Sequence, residues 1–417
     1  MSVLRINGGK RLRGVLKVQG AKNSALPILA ATLLARGETV LHNCPRISDA
    51  DAAADILRRL GCAVKTENGD VIVRSGSAVP GAVPDSLMRG MRASVIFLGA
   101  MLAAFGEAVV TPPGGCELGP RPVDLHLMAL RALGAETERN DDGTIVCRAS
   151  RLRGGRIDLP TPSVGATENA LLAACAAEGE TVIRNAAREP EIVDLAEFLT
   201  GIGAHIRGAG TGTIAVEGAR MGGDTEHTVI PDRIAAATYL AAAASAGGDI
   251  ELAGTDPRAL GTVTGVFSEM GCRIEAGEDT IRFMAPERLR SARPIATRPY
   301  PGFPTDAQPP VMAAALRAEG TTVFVENLFE DRYRHVPELL KMGADIKTGG
   351  RTAVVTGVGS LRAARVRAAD LRGGAALAVA ALACEGETVL GGLEHIDRGY
   401  DGLETALRAL GADVTRA

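Results

Sequence analysis

The chain has 417 residues, 46% hydrophobic and 23% charged, the balance of an ordinary globular protein and enough for two domains of roughly 200 residues. A net charge of −3, no Trp and 3% aromatic residues give neither the basic footprint nor the stacking platforms that nucleic acid requires, so a small-molecule partner is expected. No apolar run reaches the roughly 20 residues of a membrane span, and "MSVLRINGGKRLRG" lacks the apolar core of an export signal, so a cytoplasmic location without a membrane partner is expected.

In chain order, the first element is the alternating segment "SVLRINGGKRLRGVLKVQG", which reads as strands. A unit of about 70 residues then recurs six times. Its clearest mark is a helix end: "ILRRLGCAVKT" (56–66) returns as "ALRALGAETER" (129–139), "EFLTGIGAHIR" (197–207), "VFSEMGCRIEA" (266–276), "ELLKMGADIKT" (338–348) and "ALRALGADVTR" (406–416). The shared glycines, Gly61, Gly134, Gly203, Gly271, Gly343 and Gly411, lie 68 to 73 residues apart. Upstream of each stands an alanine- and leucine-rich run closed by glycine, as in "AATLLARGETVLHN", "LLAACAAEGETVIRN" and "AVAALACEGETVLGG". Such a run reads as a helix with a glycine past its end, followed by a short strand. Each unit is therefore helix–strand–helix–strand–strand, an α/β unit, with three to a domain. The expected domains are 21–229, and 230–417 completed by residues 1–20. A continuous eightfold α/β barrel does not fit a sixfold repeat.

Aligning the units places polar residues at the start of each first helix: Lys22 and Asn23, Arg92 and Ser94, Ser163 and Thr167, Asp232 and Arg233, Thr305 and Asp306, Asp370 and Arg372. Taken singly, the Ser, Thr, Asp and Asn residues serve as N-caps. Lys22, Arg92 and Arg372 do not, because a cation opposes the positive end of the helix dipole. Their placement implies an anion between cation and helix end, and several such sites imply a polyanionic ligand carrying phosphate and carboxylate.

Between the glycine after the first helix and the "LG" glycine, unit two spans 28 residues and the others 23 to 25. The excess falls in "PPGGCELGP", around Cys116. Gly114 and Gly115 free the backbone there and Arg121 supplies a nearby cation, the setting of a reactive thiol; a plain exposed turn is the alternative. The other cysteines (Cys44, Cys62, Cys147, Cys175, Cys272, Cys384) sit in helix or strand contexts or beside a turn proline and are expected to be inert. Seven cysteines without paired spacing read as reduced thiols. No two histidines pair on a helix face, and His126 reads as a packed core residue. No metal and no cofactor are expected.

The strings "GAKNSALPILAATLLA", "PGGCELGPRPVDLH", "SVGATEN", "NAAREPEIVDL", "IPDRI", "YPGFPTD", "HVPEL", "DLRGGAAL" and "HIDRGY" resemble, in this order from residue 20 to 400, the UDP-N-acetylglucosamine enolpyruvyl transferases. That resemblance implies a two-domain inside-out α/β barrel built from six repeats, with helices buried in each centre. It implies transfer of the carboxyvinyl group of phosphoenolpyruvate to the 3′-hydroxyl of UDP-N-acetylglucosamine, the first committed step of peptidoglycan synthesis, with no cofactor and no obligate protein partner. By motif, Cys116 is the acid or covalent thiol, Asp306 the base, and Lys22 and Arg398 are catalytic cations. Lys22, Asn23, Arg92, Arg121, Arg332, Arg372 and Arg398 hold phosphoenolpyruvate. Asn23, Arg92, Arg121, Pro122, Val123, Asp124, Leu125, Ser163, Val164, Gly165, Asp306 and Leu328 face the UDP-sugar. Where many members carry lysine two residues before "SVG", this chain has Thr161, a departure at the nucleotide site. The resemblance further implies closure on the sugar nucleotide with the Cys116 loop as a lid. Transfer to shikimate 3-phosphate or to another uridine nucleotide, and a non-catalytic nucleotide-sugar binder, are the competing readings. The cysteine loop argues against the shikimate-phosphate enzyme, which lacks it.

Overall fold

In a computed structural model, which describes residues 2–81, 83, 87, 92–111 and 123–417, the six alanine-rich runs are helices: α1 (Lys22–Ala35), α2 (Phe97–Phe105), α3 (Val164–Ala174), α4 (Arg233–Ala246), α5 (Gln308–Ala315) and α6 (Leu371–Leu382). They have almost no polar face. Every residue of α4 from Ile234 to Ser245 is buried, as is every residue of α6 from Arg372 to Leu382. A helix apolar on all sides has nothing to offer water and folds only when other elements enclose it. Two of these helices open through a 3₁₀ turn, Arg92–Ile96 before α2 and Thr305–Ala307 before α5. Arg92, Ser94, Thr305 and Asp306 therefore lie in the tighter turn ahead of the helix.

The chain divides into two compact units. One comprises the described residues of 20–230, and its α2 packs against both α1 and α3. The other comprises 2–19 and 231–417, and α4, α5 and α6 each pack against the other two. Each unit has its own apolar core.

After five of the six helices the next strand pairs with a hairpin strand on one side. Among the described residues, a parallel strand from elsewhere in the unit flanks its other side in every sheet but that of Glu107–Val110. Thus Arg36–His42 lies between Asp70–Arg74, antiparallel, and Gly223–Thr228, parallel. Asp249–Ala253 lies between Thr280–Met284 and the N-terminal strand Arg13–Lys17. The last sheet departs from the pattern. Strand Leu4–Asn7 inserts between Glu387–Gly391 and Asp413–Arg416, with Leu4 opposite both Leu390 and Arg416. Both N-terminal strands are thus part of the unit that holds the C-terminus. The recurrent "LG" glycine has a conformational cause: all six adopt positive φ, between 86° and 109°, where a side chain would be strained.

Candidate functional site

Asp306 is the centre of a charged cluster in the unit of residues 231–417. Extended Pro304 leads into the single 3₁₀ turn that presents the Asp306 carboxylate. Arg332 donates from Nη2 to Asp306 Oδ1 at 2.9 Å, and from Nε and Nη2 to the Thr305 carbonyl at 3.2 and 2.8 Å. Arg372, in the first turn of α6, reaches Asp306 Oδ2 from Nη2 at 3.2 Å and from Nε at 3.3 Å. The two arginine side chains are 1% and 3% exposed and the carboxylate 29%, so two buried cations converge on one half-open anion. The Arg372 guanidinium also lies over the Tyr400 ring, 5.4 Å from its centroid. Burial opposes its charge, but Tyr400, Asp306 and Asp232 outweigh burial and hold the guanidinium above its ordinary pKa.

Behind this cluster lie polar atoms that the described protein does not satisfy. Asp370 caps α6, its Oδ1 accepting from Arg372 N at 3.0 Å and Gly373 N at 2.9 Å, while its Oδ2 has no partner. Both ring nitrogens of His335, both amide atoms of Gln308 and Nη1 of Arg372 are likewise buried without one. Native interiors leave few such groups, and a cluster of them marks a place shaped for something other than packing. Burial pushes His335 below its ordinary 6.5, with Asp370 opposing and Arg332 assisting.

Glu326 organises the neighbouring loop. Fully buried, it accepts from Thr297 Oγ1 and Thr305 Oγ1 at 2.9 Å each, and from the amides of Leu328 at 2.8 Å and Phe329 at 3.0 Å. One carboxylate therefore fixes both the turn of Asp306 and the loop on which Leu328 stands 41% exposed. Arg398 is half-buried just after the short helix Leu393–Ile396.

In the unit of residues 20–230, Lys22 opens α1 and its Nζ lies 2.7 Å from Asp49 Oδ2, with side chains 11% and 2% exposed. Half-buried Asn23 follows. Ser24 donates to Asp194 Oδ2, which also accepts from Ile230 N at 3.2 Å, while His227 Nε2 is 2.8 Å from Asp194 Oδ1. Asp194 thereby anchors the turn that carries Lys22 and Asn23. Ser163 caps α3 and is half-buried with Val164 and Gly165. Gly165 packs under His126: a β-carbon there would lie 2.8 Å from the His126 ring. His126 is buried, and Asn169 Nδ2 lies 2.8 Å from its Nδ1, in keeping with a packed core histidine. Val123 and Leu125 are half-buried and Asp124 exposed; Thr161 is exposed. Deeper in α3, Glu168 is pushed up to about 8 by burial and then by the neighbouring Glu191 and Glu189.

A ligand anion is not the sole counter-charge open to Lys22 and Arg372. Each already faces a protein carboxylate, Asp49 and Asp306 respectively, which offsets the unfavourable helix dipole without a ligand. Cys116, Arg121 and Pro122 lie outside the described residues, as does the side chain of Arg92. The six other cysteines are all buried. Burial raises Cys62, Cys147 and Cys384 to about 11 and Cys175 and Cys272 to about 12, values at which a thiolate is scarce. Sequence reasoning missed Asp49, Glu326, Asp194 and His335. The last two stand within "NAAREPEIVDL" and "HVPEL", so the motifs themselves held the signal. For Asp49 and Glu326 no spacing rule connects them to the residues they hold.

The model of the EPSP synthase family, 3-phosphoshikimate 1-carboxyvinyltransferase, matches residues 6–407. The chain belongs to the EPSP synthase family. Within that family it is 49% identical, over the full length of both chains, to UDP-N-acetylglucosamine 1-carboxyvinyltransferase 2 of Caldanaerobacter subterraneus. It is 44% identical to the protein of the same name from Bacillus subtilis, covering 100% of this chain and 97% of that one. Among solved family structures, the enolpyruvyl transferase NikO of Streptomyces tendae superposes with a TM-score of 0.88 at 27% identity, covering 100% of this chain and 99% of the other. An EPSP synthase-like α/β fold thus carries the Asp306 cluster. No helix among the described residues is long and apolar enough to cross a membrane.

Proposed function

We propose that this enzyme transfers the carboxyvinyl group of phosphoenolpyruvate to the 3′-hydroxyl of UDP-N-acetylglucosamine and releases phosphate, in the cytoplasm and as the first committed step of peptidoglycan synthesis. The observation that carries the reading is the 49% identity, end to end, with a UDP-N-acetylglucosamine 1-carboxyvinyltransferase. The fold reading that goes with it is a pair of inside-out α/β barrels, three repeats each, with α1–α3 and α4–α6 as their buried centres.

The chemistry needs a base for the sugar hydroxyl and an acid for the donor's methylene carbon. In this reading Asp306 takes the hydroxyl proton while Arg332 and Arg372 fix its orientation. The sugar oxygen bonds to C2 of the donor, and C3 gains a proton, giving a tetrahedral intermediate. Loss of a proton from C3 then re-forms the double bond as the C2–O bond to phosphate breaks, so atoms and charge balance without a cofactor. Cys116 is the acid or covalent thiol. Lys22, Asn23, Arg92, Arg121, Arg332, Arg372 and Arg398 bind the donor's phosphate and carboxylate and stabilise the developing charge. Val123, Asp124, Leu125, Ser163, Val164, Gly165 and Leu328 face the nucleotide sugar, with Pro122 beside them. The buried, unpartnered atoms of Gln308, His335 and Asp370 support a polar ligand near Asp306.

Phosphate release from phosphoenolpyruvate tests this, with UDP-N-acetylglucosamine, shikimate 3-phosphate or UMP as acceptor. Release with the sugar nucleotide alone, reduced by about 10²–10⁴ in Asp306→Asn and lost in Cys116→Ser, is the expected result. Release with another acceptor moves the enzyme to a different product. Tight sugar-nucleotide binding without release from any acceptor makes it a binding protein.

A further inference from the structure

Gln19 is the last residue before the chain passes into the unit that begins at Gly20. It is tied three ways within its own unit. Its carbonyl accepts at 2.8 Å from the amide of Asp232, the N-cap of α4, whose Oδ1 holds the amides of Ile234 and Ala235. Its side chain spans the 398–401 loop: Nε2 donates to the Gly399 carbonyl at 3.1 Å, and Oε1 accepts from Asp401 N at 2.8 Å. A carbonyl and an amide two residues apart are thus read by the two ends of one amide group. A side chain with only donors or only acceptors cannot do both.

The rest of that loop is fixed by packing on one side. Gly399 sits where a β-carbon would come within 2.7 Å of Leu371. Tyr400 is buried, with its hydroxyl 2.8 Å from Thr238 Oγ1 and its ring beneath Arg372. Gln19 bonds to the backbone on both sides of Tyr400, directly after Arg398. We propose that Gln19 is a positioning residue for Arg398: its amide sets the path of the 398–401 loop and so the point from which the Arg398 guanidinium meets the anionic donor. This rests on the reading of Arg398 as a donor-binding cation. Gln19 touches no reacting atom; it acts through the loop.

The test uses the full-length enzyme and steady-state phosphate release, with phosphoenolpyruvate varied at saturating UDP-N-acetylglucosamine and the converse. Gln19→Leu keeps the size and removes both bonds. It is expected to raise KM for phosphoenolpyruvate about tenfold, the effect of losing two ordinary hydrogen bonds. KM for the sugar nucleotide should stay within about twofold, while the same lost bonds lower the melting temperature by about 3–6 °C. Gln19→Glu still accepts from Asp401 but opposes the Gly399 carbonyl, and should raise the same KM; it carries the test if the leucine variant does not fold. The decisive readout is a double-substitution cycle with Arg398→Lys. If Gln19 acts through Arg398, adding Gln19→Leu or Gln19→Glu to Arg398→Lys changes the donor KM by less than about twofold. A full additional rise, or a drop in melting temperature with donor KM unchanged, overturns the proposal. Failure of the underlying reading looks different: Arg398→Lys alone then leaves the donor KM unchanged, or the parent enzyme releases no phosphate.

Discussion

Replacing Glu326 with alanine tests whether a single buried carboxylate holds the Asp306 turn and the Leu328 loop together. Four donors lose their acceptor: the hydroxyls of Thr297 and Thr305 and the amides of Leu328 and Phe329, all within 2.8–3.0 Å of the carboxylate. A hydrogen bond to a charged group contributes about 1.5–3 kcal/mol, and a stranded buried donor costs about 1–3 kcal/mol. Thr305, Leu328 and Phe329 are less buried and regain water, whereas Thr297 is fully buried, although its hydroxyl still accepts from Asn327 N at 2.9 Å. Discounting three of the four bonds accordingly leaves a loss of about 4 kcal/mol. For a unit of this size that lowers the melting temperature by about 10 °C. Glu326→Gln keeps an oxygen for three of the donors, and the Thr305 hydroxyl can turn to accept from the amide, so only charge assistance is lost, about 1–2 kcal/mol. Differential scanning calorimetry at a fixed scan rate measures both, and the two units make it necessary to follow the transition that moves rather than a single two-state midpoint. A shift below about 2 °C for the alanine variant, or equal shifts for the two, would refute the account of Glu326 as a hub.

Two pH effects follow from buried titratable groups. His335 is held neutral by burial, so below about 6.5 the unfolded chain takes up a proton that the folded one refuses, and stability falls as pH drops. His335→Gln should flatten the fall in melting temperature between pH 6.5 and 5; parallel profiles for parent and variant would count against it. Glu168 has the opposite sign. Its folded pKa of about 8 against an ordinary 4.5 means the unfolded chain loses its proton first, so stability is lost as pH rises through that window, by up to about 1.4 kcal/mol per unit. Glu168→Gln should therefore melt increasingly above the parent from pH 5 to 8, and a difference independent of pH would show that Glu168 is not protonated in the fold.

The repeated elements were legible because their causes are local. Alanine-rich runs, the glycine after each, and the "LG" glycines at positive φ are all written in single segments, and the segments recur. The strand character of residues 4–7 and 13–17 was legible too, but not the insertion of Leu4–Asn7 between two C-terminal strands, which depends on pairing across almost the whole chain. The same limit governs the charged residues. Their positions at helix starts could be read, but their partners could not: Lys22 finds Asp49 on the helix Ser48–Arg59, and Arg372 finds Asp306 from 66 positions away. The helix dipole calls for an anion beside each cation, but it does not reveal that the fold itself places a carboxylate there.

Helix α4 is built largely from alanine, and this changes how its part of the core can vary. Over the buried turns of α4, alanine is the commonest residue, with only Ile234, Tyr239 and Leu240 large. Alanine has no rotamers to lose on folding and almost no volume to surrender, so truncation, the usual injury to a core, is hardly available here. Enlargement is the danger instead, because each added methylene pushes two backbones apart rather than shifting one flexible side chain. Helix α4 is thus a one-sided constraint on sequence drift: it tolerates exchange among the smallest residues and resists anything bigger. Among descendants of this sequence, change should therefore collect in exposed helices and loops, while the length and smallness of the α4 run persist even where little else remains recognisable.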